Sequence, residues 1–159
     1  MVLTVWAGVS LATDESSLKV AYLYNFAKFI QWPDENRTNL RICVMGNDTL
    51  GKSVNDLIGK PVRTMQISVR EGVVLQDIPQ CDLVFVPAGF KQSLERVRQV
   101  ANDYPIVIVS ESTGTLPSGA TVALIPSNNR IVFEVNLTEA RKIGLKISAK
   151  MLQLAQKVY

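Results

Sequence analysis

Gly46-Asn-Asp-Thr-Leu-Gly51-Lys52-Ser53 has the spacing of a phosphate-binding loop, G-x-x-x-x-G-K-[ST]. In such a loop backbone N–H groups cradle phosphates, the lysine reaches the β and γ oxygens, and the hydroxyl holds Mg²⁺. The segment follows an apolar run and opens an expected helix, the setting that supports this reading. A nucleotide hydrolase also needs an acidic residue at the end of a later strand to complete the magnesium site. Asp82 instead begins its strand, and Glu111 lies two residues past Val109. At 159 residues the chain is also small for such an enzyme. The plainer reading gives Gly46 and Gly51 to turn geometry and makes Lys52-Ser53 a coincidence. The expectation is no nucleotide hydrolysis, with a P-loop nucleotide-binding protein kept as an alternative.

Other chemistry is narrowed by what is missing. The chain has no histidine, which removes the usual general base, zinc ligand and pH switch. Ser-His-Asp and Cys-His enzymes are excluded, whereas a carboxylate- or lysine-based one is not. Cys43 and Cys81 match no zinc or thioredoxin spacing. In a reducing compartment they read as buried thiols; in an oxidising one they can pair. No metal or cofactor is expected. Glu134 sits in Ile131-Val-Phe-Glu-Val135, the most apolar strand of the C-terminal half, where a carboxylate is costly unless paired or at a rim. Lys142, Lys146 and Lys150 follow at i, i+4 and i+8. They read either as a solvated helix face or as partners of Glu134 in a small polar pocket, with Arg130 nearby. Trp32, next to Pro33, is a core anchor or a partner hot spot.

These residues belong to one domain of ordinary composition, 47% hydrophobic and 19% charged, which suffices to fill a core. A net charge of +3 with no basic stripe argues against nucleic acid. Residues 1–12 are uncharged and largely apolar, and Ser10-Leu11-Ala12 offers a signal-peptidase pattern. The run is too short to span a bilayer. Export with cleavage after Ala12 is expected, leaving a single domain over 13–159. No Lys or Arg precedes the run, so the true start is expected upstream.

The elements that must position the candidates follow from periodicity. Leu18, Tyr22, Phe26 and Phe29/Ile30 recur at helical spacing, with Ser16 or Ser17 as cap and Pro33 as stop. Leu40–Met45, Met65–Val69, Asp82–Val86 and Ile106–Val109 read as strands. Leu50–Ile58 and Gln92–Ala101 read as helices, and Ser112–Gly119 as a loop. Thr121–Ile125 and Ile131–Val135 flank Asn128-Asn129 as a hairpin. Asn136 and Glu139 predict a capping box opening a long helix to about Lys157. The alternation predicts a three-layer α/β sandwich: a mostly parallel sheet, a C-terminal antiparallel hairpin, and helices on both faces.

The wording of these elements goes beyond their physics. Tyr24-Asn-Phe-Ala-Lys-Phe29 followed by Trp32-Pro33 resembles the opening helix of the YfiR family, periplasmic proteins that restrain an inner-membrane diguanylate cyclase. Leu40–Gly46, Gly59-Lys60 with Ile67–Arg70, Cys81–Phe85, and Pro105–Glu111 resemble the family's successive strands. Arg130–Leu137 with Ala140, Gly144-Leu145 and Met151-Leu152 is similar to its closing strand and helix, so the likeness covers roughly 17–158. It implies a non-enzymatic, periplasmic repressor. Its partners would be the cyclase's periplasmic sensor domain, an outer-membrane lipoprotein that captures the repressor, and a second copy in a homodimer. Lower cyclic-di-GMP and less biofilm would follow. A periplasmic small-ligand receptor on the same fold is the rival. The resemblance further implies a Cys43–Cys81 bridge whose redox state bears on stability and activity. It also implies a ligand or partner surface around Glu134, Arg130, Lys142 and Lys146, and a Gly46–Ser53 loop with no required Lys-Ser. A second cysteine pair found in some members is missing from Ser110–Ile125.

Overall fold

The structure is a computed structural model that describes residues 15–34, 36–47 and 49–159, with the backbone alone at 91–93. The expected leader and its cleavage after Ala12 lie outside the described residues.

Helix α1 (Glu15–Phe29) buries Val20, Leu23, Phe26 and Ala27, a stripe at helical spacing. Tyr22 and Phe26 both meet Phe133 edge-to-face, with ring centroids 5.9 and 5.2 Å apart. The Tyr22 hydroxyl donates to the Ile131 carbonyl at 2.5 Å, so the polar tip of this core aromatic is satisfied. The helix does not run to Trp32-Pro33 as its sequence predicts. Ile30 and Gln31 leave it as β1 (Ile30–Gln31), pairing antiparallel with β9 (Lys146–Ile147). Arg63 closes the freed helix end by donating to the Lys28 and Ile30 carbonyls at 2.9 and 2.8 Å.

The main sheet holds eight strands. In chain order they are β2 (Asn39–Met45), β3 (Pro61–Val62), β4 (Met65–Val73), β5 (Leu83–Val86), β6 (Val107–Glu111), β7 (Val122–Ser127), β8 (Arg130–Val135) and β10 (Lys157–Val158). Their spatial order is β10-β8-β7-β6-β5-β2-β4-β3. The central β4-β2-β5-β6-β7 pairs are parallel. This is the 2-1-3-4-5 order of a doubly wound sheet, reversing direction between β2 and β5. The β7–β8 hairpin is antiparallel and turns through Asn128 and Asn129 at φ 46° and 63°, a pair of left-handed residues suited to a tight hairpin. The three-layer reading holds. Against one face pack α1, a 3₁₀ turn at Gly51–Leu57, and α4 (Ala149–Leu154). Against the other pack α2 (Lys91–Ala101) and a second 3₁₀ turn at Leu75–Gln80.

The long C-terminal helix does not form. Asn136 caps α3 (Leu137–Lys142) by accepting from the Glu139 N–H at 2.9 Å. The return limb of the expected capping box is absent, because the Asn136 N–H goes to Thr121 and the Glu139 carboxylate turns to Arg98 and Lys142. Gly144 then takes φ 81°, where an added Cβ would lie 3.3 Å from the Pro33 ring. The chain leaves the helix to pair with β1 and restarts at Ser148, whose hydroxyl accepts from the Met151 N–H.

Candidate functional site

Cys43, on β2, is joined to Cys81, just before β5, as a disulfide on the α2 face. Both half-cystines are buried, at 3% and 2% exposure. The bridge ties together two segments 38 residues apart in the chain, next to the point where the sheet reverses.

The charged candidates scatter. Glu134 is 3% exposed and points away from α1, since its neighbours Phe133 and Val135 face that helix. Its Oε1 accepts from the Thr115 hydroxyl at 3.3 Å, the Leu116 N–H at 3.0 Å and the Tyr159 hydroxyl at 2.8 Å. It therefore meets neither Lys142 nor Lys146, and the polar pocket expected there is not built. The break at Gly144 also dissolves the lysine row: Lys142 ends α3, Lys146 lies on β9, and Lys150 on α4 sits 5.5 Å from the Phe29 ring. Arg130 is farther still. It lies on the hairpin beside Glu15 and Leu18, at the end of α1 opposite Phe29. Leu18 to Phe29 spans roughly 16 Å at the rise of a helix.

Trp32 is a core anchor, 4% exposed, and its indole N–H donates to the Asp82 carbonyl at 3.2 Å. Asp82 is the hub that sequence reading overlooked. Its carboxylate binds the guanidinium of Arg37, the Arg41 N–H at 2.7 Å and the Arg41 guanidinium at 3.1 Å. The signal available was a lone aspartate before a strand of four apolar residues, with two arginines before and within the neighbouring strand. This knot sits where β5 begins, the end of the sheet remote from the crevices in which doubly wound domains hold ligands.

The phosphate-loop match loses its setting. Gly51-Lys52-Ser53 opens a seven-residue 3₁₀ turn instead of an α-helix. The Ser53 hydroxyl lies 3.0 Å from that of Ser17 on α1, and Lys52 is exposed. A Cβ on Gly46 would lie 3.3 Å from the Phe90 ring, so that ring occupies the space in front of the loop.

The carboxyl ends of β5 and β6 carry a different arrangement. Val86, Ser110, Ala123 and Glu134 are register partners in turn across β5, β6, β7 and β8. The row faces α2 and the loop at 112–119. Gly119 lets that loop approach α2 closely: a Cβ there would be 3.3 Å from the Leu94 carbonyl. Glu134 holds the loop at Thr115 and Leu116. Between loop and helix a crevice of about 450 Å³ remains, floored by Val86 and Ser110 and walled by Phe90, Leu94 and Pro117. The Ser110 hydroxyl is buried and has no hydrogen-bond partner among the described residues.

Among the described residues no cluster of three or more His, Cys, Asp or Glu is placed to hold a metal. No described helix is long and apolar enough to cross a membrane. No curated protein matches the chain. A solved structure, that of a conserved domain protein from Vibrio cholerae O1 biovar El Tor strain N16961, is similar in fold. The TM-score is 0.60 at 10% identity over 91% of this chain, which spans 60% of that protein's length. A family model described as YfiR/HmsC-like matches residues 16–156. The match runs from the first turn of α1 to the residue before β10 and takes in both cysteines, so the chain belongs to the YfiR/HmsC-like family.

Proposed function

We propose that this protein is a periplasmic negative regulator that binds the sensor domain of an inner-membrane diguanylate cyclase and holds the enzyme inactive. As a YfiR/HmsC-like protein it is a regulator of cyclic-di-GMP signalling, and that family match over 16–156 carries the reading. The Cys43–Cys81 disulfide supports it, because such bridges persist in oxidising compartments. Preferential binding to the inactive cyclase shifts its population without chemistry on the repressor's part. An outer-membrane lipoprotein that captures the repressor, as a homodimer, would release the cyclase and promote biofilm.

The exposed cations around the C-terminal end of α1 suit a partner surface better than buried Glu134 or Trp32. Lys28 and Lys60 flank the Tyr24 ring at 4.6 and 4.9 Å, and Lys146 and Lys150 lie beside β1 and Phe29. Among the described residues none of these four lysines has an ion-pair partner. We place the cyclase contact there.

Two measurements test the reading. Cellular cyclic-di-GMP is followed with the exported protein and its natural cyclase, and binding of the purified sensor domain is measured by calorimetry. Repression with binding is expected. Unchanged cyclic-di-GMP together with no binding sinks the proposal.

A further inference from the structure

We propose that the crevice over Ser110 is a binding site for a small organic amine with an apolar body. This inference is independent of the cyclase reading, and it moves ligand recognition from Glu134 to the neighbouring strands.

A serine hydroxyl buried without a partner forfeits hydrogen bonds that it makes in water, at a cost to stability. Ser110 is 2% exposed, has no partner among the described residues, and lines an open crevice. Its neighbours in the row, Val86 and Ala123, are apolar, so nothing in the sheet requires a hydroxyl there. A turn of the Ser110 hydroxyl toward the crevice would let a ligand atom supply the missing partner. The position is the carboxyl end of parallel strands in a doubly wound sheet, where such domains hold ligands. About 450 Å³ lies within the range of small-molecule sites.

The walls select the ligand. Val86, Pro87, Phe90, Leu94 and Pro117 make the interior apolar. Glu95 stands exposed beside the crevice, whereas Glu111, one residue after Ser110, turns its carboxylate to Lys19 on α1. Lys19 bridges Glu111 at 3.3 Å and Glu15 at 3.2 Å on the α1 side of the sheet, so the carboxylate that serves the crevice is Glu95. Among the described side chains lining the crevice none is basic. The exposed Glu95 carboxylate attracts an ammonium as its apolar part enters.

The test titrates the folded protein with 2-phenylethylamine, 2-phenylethanol and phenylacetate, followed by ¹H–¹⁵N NMR of the backbone amides. Shifts centred on Val86, Ser110 and Thr113 are expected, with the amine at least tenfold tighter than the carboxylate. Ser110→Val, which fills the floor with a strand-forming side chain, should weaken the amine at least tenfold. Without ligand it should melt no lower than the wild type. Ser110→Ala serves as a second variant if Ser110→Val unfolds, with a smaller loss of affinity. Glu95→Gln should abolish the preference for the amine. No shifts at millimolar amine, shifts centred elsewhere, or undiminished affinity in both Ser110 variants overturns the site. Equal binding of the alcohol overturns the assignment of a cation.

Discussion

The two faces of the sheet are built to different rules. On the α1 face Leu40, Ile42, Val44, Leu83, Phe85, Val107, Val109, Leu124 and Phe133 meet α1 in a continuous apolar layer. Polar groups that touch it, such as the Tyr22 hydroxyl, find a partner at once. On the α2 face the apolar layer is thinner and polar groups are buried in it. Among them are the Ser110 and Thr121 hydroxyls, the Glu134 carboxylate, and Arg98, whose burial pushes its guanidinium below the ordinary value while Glu139 opposes the shift. A disulfide reinforces that face. The contrast separates two tasks: one face supplies stability by area, the other accepts polar burial around a crevice and is held by a covalent tie and a few hydrogen bonds.

The comparison breaks if the α1 face is not the more costly to damage. Phe26→Ala should show the largest effect, a loss of about 3–5 kcal/mol, because the ring is fully buried between Tyr22 and Phe133. Urea unfolding at constant slope measures it. On the other face, replacing both Cys43 and Cys81 by Ser should cost up to about 3–4 kcal/mol for the loop released. The wild type in reductant should fall to the variant's midpoint, and the variant itself should ignore reductant. Equal midpoints with and without reductant in the wild type would remove the tie from the account.

Glu134→Ala should cost about 2 kcal/mol, because the Leu116 N–H loses its acceptor and the carboxylate's hold on Thr115 and Tyr159 is gone. Faster amide exchange at 112–119 should accompany it, and unchanged exchange would mean that the loop is held by α2 alone. Smallest of all, Lys146→Glu should change stability by no more than about 0.5 kcal/mol, since the side chain is exposed on a two-residue strand. If the cyclase contact lies there, the same substitution weakens repression strongly by adding a repulsive charge. A stably folded Lys146→Glu protein with full repression would move the partner surface away from β9.

Legibility followed the range of the forces involved. The hairpin was readable because Asn128-Asn129 tolerates the left-handed conformations a tight turn needs. The central strands were readable because they are buried on both faces and read as unbroken apolar runs. The C-terminal helix was misread because its apolar spacing persists through Ile143 and Ile147. Gly144 and Ser148 were the local signs of a break, but the competing partner, β1, lies more than a hundred residues earlier. The same pairing shortened α1 below Pro33. The phosphate-loop match was a pattern of types without the helix that would give it function.

Periodicity and composition report burial residue by residue, and they were enough to read the fold class, the family, the core strands and the lack of histidine chemistry. The assembled sheet was needed to see that Glu134 braces a loop instead of meeting lysines, that Asp82 gathers two arginines, and that the Ser110 hydroxyl is unpaired among the described residues beside a crevice. Those outcomes depend on which strands become neighbours and in what register. Register is set by packing and turn geometry summed over the whole sheet, and no window of sequence contains it.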